Sequence, residues 1–531
     1  MKRLLAAIAA LMSLTLASCV SLGGDTSGSG SGAGSGSGSG APADLTIVAA
    51  TELKDLQGLV DQAAKELGFS IDLQFPGGTL DNSQTLKRGD FDGEVDATWF
   101  ATNRYVNLIG AADKLDGETK IATSPIAFGV WEDSAKRLGW DTKQPTWAEF
   151  AQAAEAGEFS FGMTNPQASN SGFSALVAVA TALADTGDAI APADLERVGP
   201  RLEQLYQAQS MVSGSSGWLA EAFANDPERA DAIVNYESTL HQMRQQGQPI
   251  EVIVPADGVI SADYPLSALS QPKNADVPER VEKLANWLLE HQPDIADTFR
   301  RPVTQVDNMP AEIADQQVIE LPFPANEGVV NELLYAYDNS YRQPGTTTFV
   351  LDTSGSMEGE RIASLKDIMH SLIDGSASTL TGDVSLRDRE NVTLQSFASR
   401  PNDPVTVRFS HEDPASATKL TEYVDGLHAS GSTAMYQTLL EALRKTDPAG
   451  GIPSIVLLSD GQDTVGPRFS KFKEEYEQLP AAQRSVPVFV ILYGDASEAE
   501  MRELAELTGG EVFDALGGDL AAAFKEIRGF Q

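Results

Sequence analysis

Cysteine is nearly absent from this chain. Cys19 is the single one in 531 residues, so no intramolecular disulfide can form. Histidine is scarce as well: His241, His291, His370, His411 and His428 are all there are. None stands in H-x-x-x-H spacing, which with one cysteine argues against a zinc site. Each histidine is read as a packing or surface residue. Positive charge is the third shortage. Lys and Arg number 38 against 76 Asp and Glu, a net charge of −38. No basic patch stands out, so nucleic acid and anionic membrane surfaces are repelled. The phosphate-binding loop and the G-x-S-x-G elbow are missing too, which removes the common signatures of phosphoryl transfer and serine hydrolysis.

What is present begins with an export pattern. Lys2 and Arg3 precede an apolar run, Leu4 to Leu14, that is too short to span a bilayer as a helix. The end of this stretch, Leu16-Ala17-Ser18-Cys19, resembles the bacterial lipoprotein box. The resemblance implies that residues 1–18 are a signal peptide and that Cys19 becomes the acylated (palmitate-bearing) first residue. The protein is then held on the extracytoplasmic face of the membrane by lipid rather than by a helix. Residues 19–43 are almost entirely Gly, Ser and Ala, a flexible tether with a reach of about 25–30 Å by random-coil scaling.

From residue 44 the pattern alternates between strand and helix, which is α/β organisation. Leu45 to Ala50 and Phe69 to Phe75 read as strands. Leu53 to Leu67 between them has helical apolar spacing. The acid-rich stretch Asp90 to Asp96 lacks the glycine spacing of a calcium loop and reads as a solvated turn. Ile121 to Trp131 is a long extended run. Thr146 caps a helix, and Asn165-Pro166 leads through Ser169-Asn170-Ser171-Gly172 into another. Asn235-Tyr236-Glu237-Ser238 and the return from Asp257-Gly258 to Asp263-Tyr264-Pro265 follow. In their order and spacing these pieces resemble the two-lobed type II solute-binding proteins of ABC importers, over about residues 44–325. The resemblance implies one lobe of residues 44–123 plus 255–325, a second of 124–254, and a ligand closed between them.

Strand ends and helix N-termini are where such a ligand would be held. The candidates are Thr51, Thr98, Trp99, Ser124, Asn170, Ser171, Tyr236 and Asp257. Trp99 either stacks on the ligand or packs between elements, with packing preferred. Glu52, Glu237 and Asp257 lie close by in sequence. If they face the cleft, like charge disfavours an oxyanion and a polar, zwitterionic or cationic solute fits better. The other reading is that they point to solvent or cap helices.

After a connection at residues 326–343, a last domain runs over 344–531. Its apolar run Thr346 to Leu351 ends in Asp352-Thr353-Ser354-Gly355-Ser356-Met357. Thr433 follows Gly431-Ser432, and Asp460 follows a second apolar run, Ile455 to Leu458. In a doubly wound sheet, sites form at the carboxyl ends of strands. Two strand ends therefore bring Asp352, Ser354, Ser356 and Asp460 to one crevice, with Thr433 joining from a third loop. All five offer oxygen, the ligand set of a hard divalent cation. The order D-x-S-x-S, then Thr, then Asp resembles the metal-ion-dependent adhesion site of the von Willebrand factor A domain family. The resemblance implies a Rossmann-like fold and a bound Mg²⁺ (Mn²⁺ or Ca²⁺ are the alternatives). It also implies a protein partner whose carboxylate completes the coordination sphere.

The whole chain thus reads as a two-lobed periplasmic-binding-protein-like module followed by a doubly wound A domain. The expected function is metal-dependent binding of a protein partner, in adhesion or complex assembly, beside a module for a small polar solute. The alternative is a solute receptor of an ABC-type importer with the A domain as accessory docking module. Catalysis is not expected: Ser354 has no activating histidine placed nearby in sequence.

Overall fold

The structure is a computed structural model. It describes residues 43–314, 316–379, 382–447, 450–461, 463–493 and 498–514, and the pairs 523–524 and 527–528. Cys19, the signal stretch and the tether up to residue 42 lie outside the described residues. No helix among the described residues is long and apolar enough to cross a membrane.

Residues 45–302 build two sheets. In one, Leu45–Ala49 pairs in parallel with Ile71–Gln74 and Ala97–Trp99. Pro265–Leu269 then returns antiparallel between Ala97–Trp99 and Leu115–Lys120. The second sheet is organised on the ten-residue strand Ala122–Trp131. Its first residues pair with Arg301–Pro302 and Ser261–Ala262. Its remainder pairs with Ala232–Tyr236 and Ile250–Ile253, and Phe161–Thr164 and Gln209–Ser213 extend the sheet. The long extended run of the sequence is therefore one strand that passes from one lobe into the other. Its apolar residues Ile126, Ala127, Phe128 and Val130 are fully buried, and a strand buried on both faces has that composition.

Two local expectations need correction. The helical spacing from Leu53 to Leu67 divides into a 3₁₀ turn, Thr51–Leu56, and an α-helix, Gln57–Leu67. Amphipathic spacing cannot separate the two helix types over one turn. The acid-rich stretch is not a solvated turn throughout. Asp96 is buried, accepting from the backbone amides of Thr46 (2.8 Å) and Asn274 (2.8 Å) and from the Asn274 side chain (3.0 Å). Asp92 pairs with Lys114 at 2.7 Å. These acids are structural, and their partners lie too far away in sequence to be recognised from the run itself.

The connection packs onto the first module. Asn326 caps the helix Glu327–Ala336 by accepting from the Gly328 amide at 2.8 Å. Val329, Val330 and Leu333 join the first module's core. A single π-helical turn follows, Tyr337–Tyr341. There the Tyr337 hydroxyl donates to the Gln209 side chain (2.9 Å) and the Gln207 amide to the Tyr341 carbonyl (2.9 Å).

The last domain is one six-stranded sheet. Its order is Val405–Arg408, Asn391–Phe397, Gly345–Asp352, Ile452–Ser459, Val488–Leu492, Val512–Asp514. All pairings are parallel except the first, the antiparallel edge. Side-chain alternation sends Phe349 and Leu351 into a core on one face with Val456 and Leu458. Val350 enters a second core on the other face with Ile455 and Leu457. Burying each of these side chains contributes about 1.5–3 kcal/mol. Helices cover both faces, so the central strands end in loops at a common edge, and Asp352 and Asp460 stand there.

Candidate functional sites

At that edge, Asp352 is fully buried at the end of its strand. Its Oδ1 accepts from the Ser354 amide at 2.8 Å and its Oδ2 from the Ser459 hydroxyl at 2.6 Å. Burial pushes the Asp352 carboxyl up, with the nearby charge of Asp460 acting in the same direction and the two serines opposing. Thr353 turns away, and its amide and hydroxyl both donate to the Phe397 carbonyl at 2.8 Å. The intervening residue of the motif is thus an anchor to the next strand. Ser354 and Ser356 face each other, hydroxyl to hydroxyl, at 3.0 Å.

A second loop is laced to the first. The Gly355 amide donates to the Gly431 carbonyl (2.9 Å) and the Ser430 amide to the Thr353 carbonyl (2.8 Å). Gly431 adopts φ +83°, and a Cβ there would meet the Ser399 hydroxyl at 2.7 Å, so glycine is needed twice over. This lacing brings Thr433, which is buried, to the same edge; its amide donates to the Thr464 hydroxyl at 2.8 Å. Asp460 comes from the third loop. Its Oδ2 accepts from the Arg361 guanidinium at 3.0 Å, while its Oδ1 is buried without a hydrogen-bond partner.

Three residues here were not singled out in the sequence. Ser459 orients Asp352. Asp463 accepts from the Met435 amide at 2.8 Å and so caps the helix Met435–Lys445. Burial, reinforced by Glu500 and Asp352, pushes its carboxyl up to about 6. Arg361 reaches back from the next helix to Asp460 and to the Ser356 carbonyl (3.1 Å). Ser459 precedes Asp460 in the chain and was within reach of the motif; Arg361 gave no signal.

This set fits a hard cation. Among the described residues no three carboxylate, imidazole or thiol groups converge. A metal at this edge would be held by two carboxylates and three hydroxyls. The Asp460 Oδ1 is a buried acceptor without a hydrogen-bond partner, while Oδ2 carries the Arg361 guanidinium.

The first module's candidates fall into two groups. Asn170 (through Nδ2) donates to the Tyr236 hydroxyl at 3.1 Å, and its Oδ1 is buried without a partner. Tyr236 also adjoins Glu52, whose carboxyl is raised by burial against the partial relief of that hydroxyl and of Arg300. Tyr264, not among the sequence candidates, lies 6.3 Å from Tyr236 between ring centroids; its hydroxyl is buried and unpartnered. Its φ of +39° is unusual for a bulky residue. Thr51 is half-buried at the start of the 3₁₀ turn, and the Thr98 hydroxyl is buried without a partner.

The other candidates spend their polar atoms on the protein. The Trp99 indole donates to the Tyr264 carbonyl (3.1 Å), which is packing. The Ser124 hydroxyl bonds Ser238 (3.1 Å) beside the lobe crossing. Ser171 is shared among Thr164, Ser169 and Ser216. Asp257 accepts from the Trp147 amide at 3.0 and 3.2 Å and so serves the N-terminus of the helix Trp147–Glu155. Glu237 is buried against Arg301, at 2.7 and 2.8 Å. Arg300, buried, binds both oxygens of Asp55, at 2.7 and 2.9 Å.

Residues 348–517 match the von Willebrand factor type A domain family, and residues 45–300 the bacterial extracellular solute-binding protein family. Over 185 residues the chain is 27% identical to inter-alpha-trypsin inhibitor heavy chain H4 of Homo sapiens, covering 33% of this chain and 19% of that protein. The Sus scrofa protein of the same name is 29% identical over 177 residues, with 32% and 18% covered. The chain therefore spans less than a fifth of the length of these relatives. Among solved structures, the periplasmic binding protein AfuA of Actinobacillus pleuropneumoniae, with exogenous fructose-6-phosphate bound, aligns at TM-score 0.46 and 12% identity. It covers 56% of this chain and 98% of its own. The sulfate-binding protein SubI of Mycobacterium tuberculosis H37Rv aligns at TM-score 0.42 and 18% identity, with 54% and 98% covered. Similarity at that level says nothing about this chain's ligand. The chain carries a solute-binding domain over residues 45–300 and a C-terminal von Willebrand factor type A domain over residues 348–517.

Proposed function

We propose that this protein is an extracytoplasmic binding protein that captures a protein partner through a divalent cation held by Asp352, Ser354, Ser356, Thr433 and Asp460. The observation that carries the reading is the buried, unpartnered Asp460 Oδ1 in a set made of oxygen alone. When bound, a Mg²⁺-like ion supplies an electron-poor centre with an exchangeable position for a carboxylate oxygen. The chain's own residues do the rest. Asp352 and Asp460 supply two negative charges, equal to the charge of a divalent ion, and the three hydroxyls, being neutral, add none. Ser459 and the Ser354 amide fix the Asp352 carboxylate, and the lacing of Gly355 to Gly431 fixes the two loops against each other. Among the described residues no histidine pairs with Ser354, and both domains belong to families of binding modules, which supports a non-catalytic role. The Leu16-Ala17-Ser18-Cys19 pattern supports attachment through a lipid on Cys19.

The test is capture by the full chain, immobilised, of extracytoplasmic proteins in Mg²⁺ and in chelator, beside the variant Asp352→Ala. Retention that disappears in both chelator and variant is expected. Proteins held equally in chelator, or by the variant, would contradict the reading.

A second reading is favoured by one contact: the solute-binding module adjusts presentation of the metal site. The Asn165 side chain donates to the Arg528 carbonyl at 3.1 Å, just ahead of the Asn170 helix. Across the lobes, a Cβ on Gly78 would sit 2.4 Å from the Ala168 carbonyl. The segment 165–170 thus touches the other lobe, the cleft and the last domain. Under this reading a solute that stabilises residues 44–325 thermally also changes the Mg²⁺ affinity of the last domain. Stabilisation with unchanged Mg²⁺ affinity would leave the importer-receptor alternative in its place.

A further inference from the structure

Arg361 is the second residue of the helix Glu360–Asp374, whose entry is set by Gly359 at φ +90°. Its side chain turns back over the metal loop. One guanidinium nitrogen donates both to Asp460 Oδ2 (3.0 Å) and to the Ser356 carbonyl (3.1 Å). It thus bridges the first and third ligand loops. Asp460 is 4% exposed and Arg361 39%, so the acid is buried while the arginine is partly in water. No ion pair to Asp352 is formed among the described residues, and Asp352 and Asp460 repel each other. Arg361 is therefore the charge that offsets this pair of acids.

We infer that Arg361 is a tethered competitor of the divalent cation: its guanidinium holds the Asp460 carboxylate until the ion displaces it. The inference rests on the metal-site reading above. Its basis is separate: one carboxylate oxygen serves a guanidinium, and a second cation beside it is repelled. An ion can meet the free Oδ1, but the guanidinium on Oδ2 lies beside it and repels it, so ion binding and the Arg361–Asp460 pair oppose each other. An arginine is well suited to this, since it never loses its proton and a partly exposed side chain can swing to water. If about nine molecules in ten hold the pair closed, the apparent affinity for the ion is reduced about tenfold. The same guanidinium, once released, stands at the rim beside the place where a partner's carboxylate must approach. Arg361 is thus a positioning residue that sets how much free divalent ion is needed before a partner can bind.

The experiment is calorimetric titration of the metal-stripped full chain with MgCl₂ and MnCl₂, together with melting in chelator. The proteins are the wild type, Arg361→Gln, Arg361→Lys and Asp460→Ala. Arg361→Gln is expected to bind the ions about tenfold more tightly and to melt lower in chelator. Arg361→Lys, which keeps the charge without the fork, is expected to fall between it and the wild type. Asp460→Ala is expected to lose ion binding. Wild type and both Arg361 variants binding with equal affinity, or the variants more weakly, while Asp460→Ala loses binding, would overturn the competition and leave the metal site standing. No ion bound by the wild type or either Arg361 variant would overturn the metal reading and the competition with it. Arg361→Lys supplies the comparison should the glutamine variant not fold.

Discussion

The solute cleft and the metal edge both lie at the C-terminal ends of strands, yet they balance their charges in opposite ways. At the metal edge the acids are offset by an arginine that is partly in water. In the cleft Arg300 is itself buried, locked onto both oxygens of Asp55, while Glu52, Asn170 and Tyr264 keep buried polar atoms without partners. Removing an isolated buried polar group from its partner costs about 1–3 kcal/mol. A cluster of unpartnered atoms between two lobes is therefore stable only if something else completes it, or if the lobes open. Under the proposals above, the metal edge exchanges one cation for another, whereas the cleft closes on its ligand.

That comparison can be broken or sharpened at specific residues. The largest expected effect is on ion binding. Asp352→Ala removes a buried carboxylate and the acceptor for Ser459 and Ser354, and calorimetry is expected to show Mg²⁺ binding lost altogether. A retained affinity would make the edge an ordinary loop.

Next is Asp55→Ala in the first module. It leaves the Arg300 guanidinium, 2% exposed, without its bidentate partner. Because Asp55 is itself 29% exposed and Arg300 keeps the Glu52 carbonyl, the loss is expected to be about 1–3 kcal/mol, read by denaturant unfolding. A loss close to zero would mean that the cleft's arginine is not locked.

A smaller effect concerns pH. Burial raises the Glu52 carboxyl above its ordinary value of 4.5. The stabilising contribution is then fully present below 4.5 and is lost as pH rises through the higher folded value. Glu52→Gln is expected to melt above the wild type at neutral pH, with the gap closing as pH falls towards 4.5. A gap independent of pH would show that Glu52 is not the titrating group. The smallest expected change is from Asn165→Ala, which removes one hydrogen bond to the Arg528 carbonyl. It is expected to cost about 0.5–1.5 kcal/mol in unfolding free energy. No change would show that this hydrogen bond does not couple the first module to the last domain.

The fold class and the metal edge were legible for a physical reason. Asp352, Ser354 and Ser356 ride on one loop, and the apolar runs before Asp352 and Asp460 name the strand ends that carry them. Phe349, Val350 and Leu351 could be read as one apolar run, because both faces of a doubly wound sheet are buried. The cleft was legible only as an outline. Asn170, Tyr236, Glu52 and Tyr264 come from four distant segments, and no local pattern distinguishes Asn170, with a free buried acceptor, from Ser171, whose hydroxyl is spent within the protein. Asp257 and Asp96 show the same difficulty. Each acid serves backbone amides over a hundred residues away, Asp257 that of Trp147 and Asp96 that of Asn274. Arg361 could not be found because a helix-surface arginine beside acids is an ordinary sight; only the turn back to Asp460 distinguishes it.

The most direct measurement is a crystal structure of the folded part soaked with Mn²⁺, using anomalous scattering to place the ion. The account predicts one ion among Asp352, Ser354, Ser356, Thr433 and Asp460, with the Arg361 guanidinium moved off Asp460. An ion bound elsewhere, or none at this edge with Arg361 still on Asp460, would contradict it.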